Sequence, residues 1–117
     1  MTVIRQDDLI QSVADALQYI SYYHPVDFIR AVKEAYEKEE SKAAKDAMAQ
    51  ILVNSRMAAM GRRPICQDTG IVTVFAKVGM NVTFEASSEG ESMSLDDMIN
   101  EGVRRAYNHP ENVLRAS

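Results

Sequence analysis

The sequence predicts an α+β fold, mostly helical in its N-terminal part, with a short β-hairpin or strands. Two observations carry this. Apolar residues recur at three- and four-residue steps over four stretches, and a β-prone run follows the third of them. A third observation bears on completeness. The helices offer more apolar surface than one hairpin can cover, so the chain is expected to be an incomplete piece of a larger domain. At 117 residues it is one small domain at most, or part of a larger one.

The first helix is predicted over 6–22, where Leu9, Ile10, Val13, Leu17 and Ile20 share a face. Asp7 and Asp8 sit near its start, where the helix dipole favours negative charge. His24-Pro25 breaks the pattern, and Pro25 suits the opening of a second helix over 26–39. Phe28, Ile29, Val32, Ala35 and Tyr36 form its apolar face, and Glu37 to Glu40 are read as solvated surface. Ser41 is a good N-cap for a third helix over 42–60, with Ala44, Ala47, Met48, Ile51, Leu52, Ser55 and Ala58 inward. Gly61 is its expected stop.

Residues 71–78, Ile-Val-Thr-Val-Phe-Ala-Lys-Val, are strongly β-prone and suit a strand covered on both faces. Gly79 turns the chain, and residues 81–85 alternate like the second arm of a hairpin. Residues 86–93 read as an exposed loop. Ser94, with Asp97 three residues on, opens a last helix over 94–108. Its inner face is Leu95, Met98, Ile99, Gly102, Val103 and Ala106, and His109-Pro110 ends it. No repeat, linker or low-complexity tract interrupts the chain.

Composition narrows the function. A net charge of −4 argues against nucleic-acid or anionic-membrane partners, which need a basic face. No apolar run approaches the length of a membrane span, and no secretory leader is recognisable. One cysteine permits no internal disulfide, so a reducing compartment, the cytoplasm, is expected.

That cysteine lies in the octapeptide Arg63-Pro64-Ile65-Cys66-Gln67-Asp68-Thr69-Gly70, between the third helix and the β-prone run. Loops of this kind often carry chemistry. From the residues alone Cys66 is either a small half-buried hydrophobe or a thiolate that ligates a metal or attacks a substrate. Asp68 is either a turn cap or an acid–base group. By themselves Gln67 reads as surface and Arg115 as a solvated cation. His24 and His109 precede prolines without ligand-like spacing, and the seven methionines sit at core-like positions. The pairs Arg62-Arg63 and Arg104-Arg105 read as surface charge.

The octapeptide resembles the first cluster-ligand motif of the class I, iron–sulfur-dependent fumarate hydratases, a motif similar to that of the L-tartrate dehydratases. The last six residues, Asn112-Val113-Leu114-Arg115-Ala116-Ser117, resemble the family's Asn-x-x-Leu/Arg-x-Ser segment, and Ala43 to Met57 resemble the helix before the motif. The resemblance implies that residues 1–117 are the N-terminal part of an iron–sulfur hydro-lyase catalytic domain. It implies a four-iron, four-sulfur cluster held by three cysteines, with Cys66 as the first metal ligand. The other two are absent from this chain, which therefore holds no such cluster by itself. The resemblance further implies Asp68 as catalytic acid–base group, with Gln67, Asp68 and Arg115 binding a small dicarboxylate. The reaction it implies is the reversible hydration of fumarate to (S)-malate in a homodimeric parent, with an L-tartrate dehydratase or two-subunit fumarase alpha chain as the alternative. The different-class alternative is a non-catalytic helical module with Cys66 as a redox-sensitive thiol.

Overall fold

The computed structural model of the chain describes residues 1–65, 70–86, 90–112 and 114. In chain order they form β1 (Thr2–Arg5), α1 (Gln6–Tyr22), α2 (Val26–Lys38), α3 (Lys42–Gly61), β2 (Val82–Glu85) and α4 (Leu95–Asn108). All four helices stand within one residue of their predicted limits. The chain divides into two compact units, one of Met1–Gln18 with Ile71–Asn112, the other of Tyr19–Gly70 with Val113–Ser117.

The first unit contains the sheet, and here the structure corrects the predicted hairpin. Residues 71–78 carry no strand, and β2 pairs instead with β1 in parallel, Thr2 opposite Val82 through Arg5 opposite Glu85. Propensity alone does not make a strand; a ladder partner does. Thr2, Val3 and Ile4 suit a pleated edge, but no turn signal announces a partner 80 residues away.

The core of this unit lies where α1 meets α4. Ile10, Ala14 and Leu17 of α1, with Met98 and Ala106 of α4, are buried there. Gly102 sets the spacing. A Cβ at that position would lie 2.7 Å from Val13 Cβ and 2.8 Å from the Ile10 carbonyl oxygen. Only glycine permits so close an approach without displacing backbone.

Polar groups tie the two helices to the loops around them. Gln6, at the head of α1, is 4% exposed; its Oε1 accepts from the Met93 amide at 3.0 Å. Its Nε2 reaches the Glu91 carbonyl at 3.5 Å. The segment entering α4 is thereby held against the start of α1. Ser94 then caps α4 by accepting from the Asp97 amide at 3.1 Å, as its spacing predicts. Arg104 and Arg105 both engage Glu101 of the same helix, as expected of surface charge.

In the second unit α3 packs against α2. Ser55 and Ala58 of α3 are buried, while α2 buries no residue. Phe28 and Ile29, predicted inward, are exposed, and so is Ala47 of α3. Lys45 of α3 lies over the Tyr36 ring of α2, 4.6 Å from its centroid. Ser41 caps α3 as predicted, but the stop is displaced by one residue. Gly61 remains helical, and Arg62 takes the left-handed conformation with φ 50° and ψ 54°. The Arg62 and Arg63 amides both donate to the Ala58 carbonyl and close the helix.

Candidate functional site

Cys66, Gln67, Asp68 and Arg115 lie outside the described residues, as do Thr69, Val113, Ala116 and Ser117. The structure does define how the chain is delivered to both segments. Before the Cys66 segment, α3 ends in the left-handed Arg62, which redirects the backbone. Two residues after Arg63, the Ile65 amide donates to the Ser21 carbonyl at 2.8 Å. Ser21 belongs to the last turn of α1, whose carbonyls lack partners within the helix. One bond therefore satisfies a helix end and fixes the residue immediately before Cys66. Beyond the segment, Gly70 has φ 76°, a conformation that would cost another residue about 1–2 kcal/mol.

Next to the Ser21 turn, His24 Nδ1 lies 3.0 Å from the buried Ser55 hydroxyl. The imidazole also stacks on Phe28, with centroids 4.4 Å apart and planes at 18°. His24 thus ties the α1–α2 connection to α3, which agrees with a structural reading over a ligand role. Among the described residues, no three of His, Cys, Asp and Glu converge where they could hold a metal ion.

Approach to the second segment is set in the first unit. The Asn112 side-chain Nδ2 donates to the Tyr107 carbonyl at 2.8 Å, and its amide donates to the His109 carbonyl at 2.9 Å. Gln18 Nε2 donates to the Ala106 carbonyl at 3.1 Å and lies 3.4 Å from Asn112 Oδ1. Asn112 therefore closes the C-terminal end of α4. Leu114, two residues on and one before Arg115, is buried. The sequence reading used Asn112 only as part of a resemblance; an amide side chain four residues past a helix end is the signal that marks it as a cap. Gln6 has no comparable local signal, because its partners are 85 and 87 residues away.

A fitted cluster would need more donors than this chain has. One thiolate does not replace three, so residues 1–117 alone do not fit a four-iron cluster.

Comparison with known proteins places the chain in a class. Residues 10–117 match the family described as fumarate hydratase (Fumerase). The chain belongs to that family of hydro-lyases. It is 35% identical over 94 residues to the protein named "Putative L(+)-tartrate dehydratase subunit alpha" of Methanocaldococcus jannaschii. That match covers 80% of this chain and 31% of the relative, so the chain spans about a third of the relative's length. Among the described residues, no helix is long and apolar enough to cross a membrane.

Proposed function

We propose that this chain supplies one Cys ligand and part of the substrate site to a hydro-lyase that reversibly hydrates fumarate to (S)-malate. The observation that carries the reading is the Cys66-Gln67-Asp68-Thr69-Gly70 segment, lying inside a family match that extends over residues 10–117. Hydration of fumarate adds hydroxide to one carbon and a proton to its neighbour. Asp68 moves that proton, as a positioned carboxyl group can. Gln67 hydrogen-bonds the substrate, and the Arg115 guanidinium fork grips a substrate carboxylate. Cys66 binds one iron of a four-iron, four-sulfur cluster, whose remaining ligands come from polypeptide outside this chain. Such a cluster supplies Lewis acidity at an iron without a protein ligand. The assembly acts in the cytoplasm, as a homodimer, on a small dicarboxylate.

The tartrate dehydratase name of the M. jannaschii relative supports a second reading, in which the chain serves as a tartrate dehydratase alpha subunit. The assembled enzyme, purified without oxygen and offered fumarate, malate and L-tartrate separately, distinguishes the two. Fumarate and malate should interconvert, and Cys66→Ser should abolish both turnover and the brown cluster absorbance. Turnover of tartrate alone would select the second reading. A Cys66→Ser enzyme with an intact cluster would overturn the ligand assignment.

A further inference from the structure

The segment 71–78 has the composition of a strand and, among the described residues, no strand partner. Five of its eight residues are β-branched and one is aromatic. Taken with a two-residue period, Val72, Val74, Ala76 and Val78 form one small apolar face, and Ile71, Thr73, Phe75 and Lys77 the other. Val72 already packs against the core of α1 and α4. Beyond it the segment is uncovered: Phe75 is 94% exposed, Ile71 72%, and Val74 and Val78 45% each. Gly79 turns the chain behind it, its carbonyl accepting from the Val82 amide at 3.2 Å.

We propose that residues 71–78 become a β-strand by pairing with a strand from the polypeptide that makes up the rest of the family's length. The M. jannaschii relative supports that occupant, because the larger part of its length lies outside the match. A second copy of this chain would bring the same segment and the same uncovered Phe75, but no new residues for the site. The occupant is an apolar edge strand that accepts the backbone ladder and covers Phe75 on its outer face. The inference rests on the proposed reading of the chain as one part of a hydro-lyase.

Amide hydrogen exchange tests this. The chain is measured alone and mixed with a second polypeptide, the part of the M. jannaschii relative outside the match. Alone, residues 71–78 should exchange like coil; in the mixture they should slow by about a hundredfold or more, as ladder amides do. Neighbouring strand residues point their amides to opposite sides, so either Thr73→Pro or Val74→Pro must remove a ladder donor. At least one of the two should weaken association by roughly tenfold, and Phe75→Asp should do so without touching the backbone. No association, or association with 71–78 still exchanging like coil, overturns the proposal. Protection of 71–78 in the chain alone that grows with its concentration also overturns it, in favour of a second copy. Turnover of fumarate, malate and tartrate by the same mixture, reconstituted without oxygen with iron and sulfide and shown to carry the cluster absorbance, keeps the two readings apart. Protection without turnover sinks the proposed function and leaves the strand, whereas turnover with unprotected 71–78 sinks the strand alone.

Discussion

Two residues test the packing and the backbone directly. Gly102→Ala adds one methyl group where Val13 and the Ile10 carbonyl leave no room. In an open helix this substitution would stabilise by about 1 kcal/mol through propensity. Here overpacking dominates, and a net loss of about 1–2 kcal/mol is expected as a lower urea midpoint. A variant as stable as the parent would show that α1 and α4 can move apart freely. Arg62→Gly works in the opposite sense. It removes the Cβ strain of a left-handed residue at the end of α3, so a gain of about 0.5–1 kcal/mol is expected by the same measurement. In the assembled enzyme, Asp68→Asn should lower turnover by roughly a hundredfold or more with the iron content unchanged. Arg115→Lys keeps the charge and loses the fork, so KM should rise more than kcat falls. Near-normal malate turnover by Asp68→Asn would make Asp68 a turn residue.

At the scale of elements, the helices were legible because the information they need is local. Ser41 and Ser94 cap the helices they precede, and the predicted inner face of α4 is the one that faces Val13 and Leu17. The sheet was not legible for the complementary reason. β1 is four residues long and its partner is β2, far along the chain, while the most β-prone run, 71–78, has no ladder within these residues. The Cys66 to Gly70 segment stands in the sequence as residue types in order, but the contact that holds the chain just before it was not legible. The Ser21 carbonyl, which holds the Ile65 amide, acts through tertiary placement that no local pattern encodes. The apolar face of α2 was read as core, yet α2 buries nothing. Its stability then rests on the Tyr36–Lys45 contact, the His24–Phe28 stack and half-buried Val32 and Tyr36, and it should open most easily of the four helices. Amide exchange should show α2 deprotecting before α1, α3 and α4; equal protection in α2 and α4 would contradict this.

For the molecule as a whole, the exposed apolar side chains matter more than any one contact. Val53, Met57 and Met60 lie uncovered along α3, with Val26 on α2 and Phe75 and Met80 before β2. Surfaces of that kind mark sites of association. The isolated chain should therefore bind an environment-sensitive apolar dye and sediment with a concentration-dependent mass. A monodisperse monomer without dye binding would contradict that expectation.

The parallel pairing of β1 with β2 also has a consequence in time. Thr2 lies opposite Val82, so 80 residues must be synthesised before the first rung of that sheet can close. At about 5–20 residues per second, the N-terminal strand waits roughly 4–16 s beyond the ribosome with its edge unpaired. α1, by contrast, is local and can form as soon as Gln6 to Tyr22 have emerged. Residues 2–5 are thus among the last of those described to be placed. During synthesis, β1 is where a chaperone would compete most directly with folding.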